Sequence, residues 1–399
     1  MSRLATKIAR VPWPMIAMVA LLCTIGMISM DEPHAAKQAI WLVLGLGVLV
    51  ATSTMSYRRL GEWAYPIFGV SLVLLIAVFV LPEAISPNIK GARRWIRLPH
   101  MQEFNIQPSE IAKLAYILML ASYLRFRSNY RTLRGLLAPF LLTLAPLALV
   151  LKEPDLGTSM LFLPMLFAML FLAGANARHL LAIIGLGAAL VVAVVLVQVV
   201  LPQHFPGMKK FAPLESHQEL RIRVWLNQGS YTRGNAVERD EGFHIRESLK
   251  AVGSGKLIGQ RGADAIYTRY NMLPEDDTDF IFSLIGHEWG FVGCAVVLAA
   301  YLIIFIIGVE IAASTADPFG RLLAVGVVAL FAAQMAINVG MAIGLLPVTG
   351  MTLPFVSYGG SSLLVNFAAL GLLINIHRYQ PIVLYRRRFE WRDDIEALS

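Results

Sequence analysis

Long apolar runs recur along the whole chain, separated by shorter polar segments. Each is close to the about 20 residues that a helix needs to cross the hydrocarbon core of a bilayer. Lipid offers no partners for backbone N–H and C=O groups, so such runs must be helical. The eighth run is too long for an ordinary span and indicates either a tilted helix or a helix with a break. The pattern predicts ten transmembrane helices, at residues 13–30, 36–55, 63–82, 107–124, 135–151, 157–174, 179–201, 279–312, 320–346 and 354–376.

Composition agrees with this pattern. The chain is 57% hydrophobic and 15% charged, with a mean hydropathy of +0.64, whereas an ordinary soluble domain has about 25% charged residues. We therefore expect an all-α polytopic membrane protein that forms one domain over residues 1–399. The two cysteines, Cys23 and Cys294, lie within predicted spans and are expected to pack there.

The positions of Lys and Arg predict the orientation. With both termini in the cytoplasm, most short basic segments lie inside, as bacterial membrane proteins require. The first span has the basic start of a signal peptide but no small-residue cleavage site, so we interpret it as an uncleaved anchor. Residues 202–278, between the seventh and eighth spans, then form one long extracytoplasmic loop, in which we expect short helices on the membrane surface.

A basic segment, "NIKGARRWIRLPH" at residues 88–100, contradicts the usual charge rule because it lies in a short exterior loop. One interpretation is that Arg93, Arg94 and their neighbours anchor lipid headgroups, with Trp95 at the interface. The other is that they bind a polyanionic substrate, because the planar guanidinium presents paired donors to phosphate.

Ionisable residues also occur at the outer ends of other spans. Glu110 and Lys113 are spaced i, i+3 on one helix face, where they either face a cavity or form a structural ion pair. Lys152 and Asp155 flank the turn between the fifth and sixth spans. For Asp155, capping of the following helix and a role in a site are both open.

The segment "GLLPVTGMTLPFVSYGGSSLLVNF" contains too many prolines and glycines for one continuous helix. Irregular backbone at membrane depth is tolerated only where it is buried in protein or lines a cavity. Ser357 and Ser361 would supply hydroxyl groups there. Asn338 and Asn366 lie inside spans and are expected to form hydrogen bonds between helices.

The segment "NMLPEDDTDFIF", residues 271–282, places Glu275, Asp276, Asp277 and Asp279 directly before the eighth span. Asp277 or Thr278 could cap that helix. A carboxylate in its first turn could instead act as a general base, since an ordinary aspartate, with a pKa of about 3.9, is ionised at neutral pH. Both interpretations can hold together.

Six motifs, in this order, resemble those of the SEDS family, the shape, elongation, division and sporulation proteins. They are "GARRWI", "QPSEIAK", "PDLGTS", "GSGKLIG", "LPEDDTDFIFSLIG" and "INVGMAIGLLPVTGMTLPFVSYGGSSLL". The resemblance implies a peptidoglycan glycosyltransferase of the bacterial cytoplasmic membrane that polymerises lipid II, an undecaprenyl-diphosphate-linked disaccharide peptide, on the outer face. The chain departs from the family pattern at Phe243, His244, Glu247 and His287.

The resemblance also implies roles for the residues above. Asp279 would be the general base. Arg94 and Lys113 would be the main residues that stabilise the diphosphate leaving group, and Arg93 and Lys152 would be secondary candidates for that role. Glu110 would orient Lys113. The pocket wall would include Trp95, Asp155, Ser357 and Ser361. A divalent cation, Mg²⁺ or Mn²⁺, remains open, although no compact ligand spacing in the sequence demands one.

Two other functions remain open. A lipid II flippase would need a polar path through the bilayer midplane, whereas the ionisable residues here concentrate at the outer side. A non-catalytic scaffold of the division or elongation machinery would leave those residues unexplained. The resemblance implies a class B penicillin-binding protein and other division or elongation membrane proteins as partners, and no nucleic acid.

Overall fold

A computed structural model describes residues 11–89, 92–98, 101–201, 216–226, 236–260, 273 and 277–379. These residues are mainly helical. The helices are α1 Trp13–Ser29, α2 Glu32–Thr54, α3 Tyr57–Glu62, α4 Ala64–Val80, α5 Pro108–Leu124, α6 Leu133–Lys152, α7 Leu156–Ala173, α8 Ala177–Val195, α9 Ser216–Leu226, α10 Ala236–Ser254, α11 Ile281–Ser314, α12 Pro318–Ala342 and α13 Gly360–Arg378. A 3₁₀ turn, Asn129–Arg131, precedes α6, and a π-helical turn, Leu196–Val200, follows α8.

Every apolar run predicted to span the membrane contains a helix. Within the described residues, seven helices are long and apolar enough to cross a bilayer: α2, α6, α7, α8 with its extension to Gln198, α11, α12 and α13. Helices α1 and α4 are apolar but shorter, and α5 has 17 residues. The last run differs from the prediction because its helix begins only at Gly360 and residues 354–359 are irregular.

Several helices present apolar side chains on the outside of the protein. Helix α8 is the extreme case, since only Leu180 is buried in it while Leu181 and Leu186 are 68% and 74% exposed. Apolar surfaces this continuous are covered by a partner or by a membrane. The exposed face of α8 therefore fits contact with lipid.

Helix α5 has the opposite environment. It packs against α4, α7 and α12, and every residue except Ile111 and Leu114 is buried. A helix buried all round places its polar side chains against protein. Glu110 and Lys113, in its first turns, are therefore enclosed by the other helices.

Helix α11 contains the break that was one of the two predictions for the long eighth run. Gly290 has φ 64° and ψ −160°, a region that essentially only glycine adopts. The break leaves helical amides without their usual acceptors. The "GSGKLIG" segment replaces them: Phe291 N donates to Lys256 O (2.9 Å) and Val292 N to Leu257 O (3.1 Å).

The basic segment before α5 forms two antiparallel hairpins that the sequence analysis did not predict. Strand β1 (Asn88–Ile89) pairs with β2 (Ala92–Arg93), and β3 (Ile96–Leu98) pairs with β4 (Met101–Ile106). Successive side chains of extended backbone point to opposite faces. Neighbouring arginines in this segment are therefore directed to different surroundings.

The long segment 202–278 contains helices, as expected, in its described part. Helices α9 and α10 pack on the start of α11 through a small apolar cluster of Val224, Ile245, Ala251, Leu273, Phe280 and Val348. Trp225 Nε1 also donates to Gly344 O at 3.0 Å. These contacts fix α9 beside the turn that leads into α11.

Candidate active site

A cavity of about 480 Å³ lies where the hairpins, the starts of α5 and α7, helix α9, the turn before α11 and residues 349–362 meet. This cavity collects residues from distant parts of the sequence. Six residues predicted for the site line it: Arg94, Trp95, Glu110, Asp155, Asp279 and Ser361.

The turn of residues 277–280, called here the acidic turn, is held by three donors on three successive carbonyl groups. Tyr358 N donates to Asp277 O (2.8 Å), Ser357 Oγ donates to Thr278 O (2.5 Å), and Asn338 Nδ2 donates to Asp279 O (2.9 Å). Fixing three consecutive peptide groups leaves the backbone little freedom. The hydrogen bonding between helices predicted for Asn338 and Asn366 is not seen: Asn338 bonds two non-helical segments, at Asp279 and Met351, and Asn366 bonds Ser362 Oγ within its own helix (3.3 Å).

Asp279 lies just outside the helix that it was expected to begin. Helix α11 starts at Ile281, its N-cap is Phe280, and no side chain caps it. The predicted cap by Asp277 or Thr278 is therefore wrong, because the helix begins later than expected and its N-cap position falls on Phe280, beyond both residues. An ideal Cβ on Gly350 would lie 3.4 Å from Asp279 Oδ2, so the carboxylate is next to a residue without a side chain.

Arg94 also lines the cavity, and its guanidinium donates to the turn between α6 and α7. Its Nε donates to Glu153 O (2.9 Å), and its Nη2 donates to Pro154 O. A guanidinium carries five N–H donors, so these two bonds leave three. Arg94 is thus anchored in a fixed position with donors remaining for an anion.

Glu153, whose carbonyl accepts from Arg94, is the residue that follows the end of α6. It is 0% exposed, and both carboxyl oxygens lack a hydrogen-bond partner within the described residues. Burial, reinforced by the Asp155 carboxylate and only partly offset by Arg94, raises the pKa of Glu153 to about 9. Its side chain is therefore a neutral acid at pH 7.

Asp155 performs the capping role predicted for it and also faces the cavity. Its Oδ1 accepts from Thr158 N at 3.0 Å, which caps α7. Its Oδ2 accepts from Gln107 Nε2 at 2.9 Å. The carboxylate therefore joins the start of α7 to the residue before α5.

Glu110 and Lys113 form a buried ion pair. Lys113 Nζ lies 2.8 Å from the Glu110 carboxylate, with side-chain exposures of 0% and 6%. Glu110 lines the cavity, and Lys113 lies behind it. In this arrangement the ammonium fixes the carboxylate, and contact of Lys113 itself with a leaving group stays a prediction.

The remaining predicted residues lie around the cavity. Arg93 points away and pairs with Glu83, and Lys152 is exposed at the end of α6. Ser357 is buried, and its hydroxyl donates to Thr278 O in the acidic turn. Ser361 donates to Asn105 O (2.9 Å) and accepts from Gln107 N (3.2 Å), so it joins the start of α13 to β4.

Sequence reasoning missed several residues of this region, among them Arg221, Trp41 and Gln38. Arg221, on α9, and Trp41, on α2, line the cavity. Gln38 Nε2 donates to Ser357 O (3.1 Å) and its Oε1 accepts from Gly359 N (3.4 Å). A glutamine inside the second apolar run was the available signal for Gln38, whereas Arg221 was one of many cations in a long polar segment.

The residues that depart from the family pattern lie on α10 (Phe243, His244 and Glu247) and on α11 (His287). His244 stacks on Phe280 with ring centroids 6.4 Å apart, and Phe243 is partly exposed beside it. Glu247 pairs with Lys250 at 2.6 Å. His287 is 0% exposed, and its Nδ1 lies 2.6 Å from Ser254 Oγ.

Known proteins are similar to this chain in sequence and in fold. The family model FTSW_RODA_SPOVE, described as cell cycle protein, matches residues 5–381. A probable peptidoglycan glycosyltransferase FtsW of Geobacter metallireducens is 36% identical over 342 residues, covering 85% of this chain and 84% of that protein. Peptidoglycan glycosyltransferase RodA of Treponema pallidum is 31% identical over 403 residues, covering 86% and 89%.

A solved structure described as "Structural coordination of polymerization and crosslinking by a peptidoglycan synthase complex" has a similar fold. It matches with a TM-score of 0.75 and 31% identity, over 93% of this chain and 99% of that one. The ordered motifs, the apolar helices and these matches agree. The chain is an integral membrane protein of the bacterial membrane and belongs to the FtsW, RodA and SpoVE family, the SEDS proteins.

Proposed function

We propose that this protein is a peptidoglycan glycosyltransferase that polymerises lipid II. One observation carries the proposal: a carboxylate, Asp279, lines the same cavity as two arginines, Arg94 and Arg221. Glycan transfer from a lipid diphosphate needs a base for the acceptor and cations for the leaving group. Relatives that cover most of the chain are named peptidoglycan glycosyltransferases.

In the proposed reaction, a sugar hydroxyl of the acceptor attacks the anomeric carbon of the donor glycan. Asp279 accepts the hydroxyl proton as the new C–O bond forms. The bond from the anomeric carbon to the diphosphate oxygen breaks, and its electron pair leaves with the lipid diphosphate. Arg94, which keeps donors available, stabilises the negative charge that develops on that oxygen.

The acidic turn supplies preorganisation. A general base works only within hydrogen-bond reach of its proton, so small displacements are costly. The three donors on the carbonyls of Asp277, Thr278 and Asp279 oppose such displacements. Glu110 and Asp155, held by Lys113 and by Gln107, form a polar wall suited to sugar and peptide groups.

We further propose the ten-span topology with both termini in the cytoplasm and the cavity at the outer face. Helices α1, α4 and α5 would add to the seven longer candidate spans. Alternation of the spans brings the starts of α5, α7, α11 and α13 and the ends of α6 and α12 to the same side. That side is outside when the N-terminus is inside.

A one-sided site favours an enzyme over a flippase. In the described membrane helices and their connecting turns, one lysine and four carboxyl side chains are buried, and all lie at the cavity end. They are Lys113, Glu110, Glu153, Asp155 and Asp277. A flippase needs polar groups along a path to the other face. A pure scaffold would leave this group of residues unexplained.

The partner proposed is a class B penicillin-binding protein, which would crosslink the new strands, together with other membrane proteins of division or elongation. The fold match to a peptidoglycan synthase complex supports this assignment.

The testing experiment supplies lipid II to the purified protein in liposomes, alone and with that partner, and separates the products by strand length. We expect glycan strands longer than lipid II. Movement of fluorescent lipid II between leaflets, with no polymer even when the partner is present, would identify a flippase instead.

A further inference from the structure

Three metal-ligating side chains converge beside the acidic turn, outside the lining of the cavity. Asp31 precedes α2, His34 lies in the first turn of α2, and Asp277 begins the acidic turn. One ligand atom from each lies within 4.8 Å of the other two.

The contacts around His34 exceed what one proton can satisfy. Its Nδ1 lies 2.7 Å from Asp31 Oδ1 and also 2.7 Å from Asp277 Oδ2. A ring nitrogen carries at most one N–H, so only one of these two oxygens can receive a full hydrogen bond. Two carboxylate oxygens and one imidazole nitrogen at such distances form a set of ligands for a divalent cation, whose charge is higher than that of the single proton.

The three ligands are held on rigid supports. Asp31 caps α2 by accepting from His34 N at 3.1 Å, so these two side chains share one turn. Asp277 is 9% exposed, and its carbonyl is fixed by Tyr358 N. The His34 ring also packs on Tyr358, with centroids 4.7 Å apart.

We propose that Asp31, His34 and Asp277 bind a divalent transition-metal cation of the Mn²⁺ class. Imidazole nitrogen is a poor ligand for Mg²⁺, which prefers oxygen and keeps its waters, whereas divalent transition metals as a class bind imidazole nitrogen and carboxylate oxygen. The site needs only small outward movements of Asp31 and His34, whose side chains are 48% and 44% exposed.

Such a cation would connect the start of α2 to the turn that carries Asp279. Asp277 is two residues from Asp279, and Tyr358 lines the cavity. Three protein ligands leave positions on a six-coordinate ion for water or for oxygens of an anionic ligand. The binding itself requires only these three residues and stands apart from the proposed enzymatic reaction.

The alternative is a protonated His34 that bridges the two carboxylates without metal. Mn²⁺ titration of the metal-stripped full-length protein, followed by electron paramagnetic resonance, separates the two. We expect one Mn²⁺ per chain, with ¹⁴N modulation from a coordinated imidazole in pulsed spectra. Absence of stoichiometric Mn²⁺, or of nitrogen coupling in the wild type, would overturn the proposal without any variant.

Variants assign the ligands. His34→Ala should abolish the nitrogen coupling, and Asp277→Asn should weaken Mn²⁺ binding at least about tenfold. Glu32→Gln, which removes a neighbouring exposed carboxylate, is the matched control and should bind as the wild type does. Equal Mn²⁺ affinity and equal nitrogen coupling in all four proteins would place the ion elsewhere and contradict the assignment.

Discussion

The side-chain amide of Asn338 donates to the backbone carbonyl of Asp279 at 2.9 Å, and the same nitrogen lies 2.5 Å from Met351 O. One buried amide thus joins α12, the acidic turn and the irregular segment before α13. Asn338 is a positioning residue in this account, since it touches the backbone of the proposed base and does not line the cavity.

Replacing Asn338 by Ala should lower kcat for glycan polymerisation at least about tenfold while leaving KM for lipid II nearly unchanged. The loss should also reduce thermal stability by about 1–3 kcal/mol, since the buried carbonyl of Met351 and the partly buried carbonyl of Asp279 lose their donor. Gln334, on the same helix, is 0% exposed, and its amide atoms have no hydrogen-bond partner within the described residues.

Gln334→Leu is the matched control for that measurement and should be neutral or stabilising. If Gln334→Leu and Asn338→Ala reduce kcat equally, general packing of α12 accounts for the effect, and positioning of Asp279 does not.

Arg94 and Arg93 are adjacent in sequence but differ in surroundings. Arg94→Ala should lower kcat/KM for lipid II at least about tenfold, with a higher KM and a lower kcat, because bonds to the diphosphate are lost in the bound substrate and as charge develops on the leaving oxygen. Arg93 pairs with Glu83 at the surface, and exposed pairs contribute about 0–1 kcal/mol, so Arg93→Ala should change KM less than about threefold. Direct binding of lipid II and kcat, measured for both variants, give the difference, and unchanged binding together with unchanged kcat in Arg94→Ala would rule out its diphosphate role.

Glu153→Gln should stabilise the protein increasingly as pH rises from about 5 to 9. The pKa of the folded-state carboxyl is raised from 4.5 to about 9 by burial and Asp155. Folding therefore takes up a proton in this range, and the stability contributed by the neutral acid is lost as pH rises through the folded pKa.

Thermal unfolding of both proteins between pH 5 and 9 checks this prediction. A stability difference between the two proteins that stays constant from pH 5 to 9 would mean that Glu153 keeps an ordinary pKa. Glycan output near pH 7 should be preserved in Glu153→Gln, since the amide replaces a neutral acid.

Much of the fold follows from the sequence because hydrocarbon leaves the backbone few alternatives. The apolar runs gave helices. The cavity was indicated by Arg94, in a basic exterior loop that contradicts the charge rule, and by Glu110 and Asp279, ionisable residues at the outer ends of spans. The hairpins were missed because short, basic strands carry little periodicity. Arg221 and the grouping of His34 with Asp277 depend on contacts between distant segments, which no local pattern records.

The break in α11 was one of two predictions for an over-long run, and it depends on one residue. Gly290→Ala should destabilise the protein by at least about 1–3 kcal/mol, because alanine does not tolerate this backbone region. An added Cβ would also lie 2.4 Å from Gly259 N.

The control for Gly290 is Gly187 in α8, where an added Cβ meets nothing within 4 Å. Gly187→Ala should be neutral or stabilising. The melting temperatures of both variants in the same detergent test this prediction. A wild-type melting temperature for Gly290→Ala would show that the break can be straightened.

Asp279→Asn tests the central claim most directly. Lipid II polymerisation is measured for the purified wild type, for this variant and for Asp317→Asn, each with the proposed penicillin-binding partner present. Asp317 is the N-cap of α12, at the end of that helix away from the cavity. The account predicts that Asp279→Asn folds and binds lipid II but forms no detectable glycan, whereas Asp317→Asn retains activity. Wild-type glycan output from a correctly folded Asp279→Asn protein would contradict the assignment of Asp279 as the base.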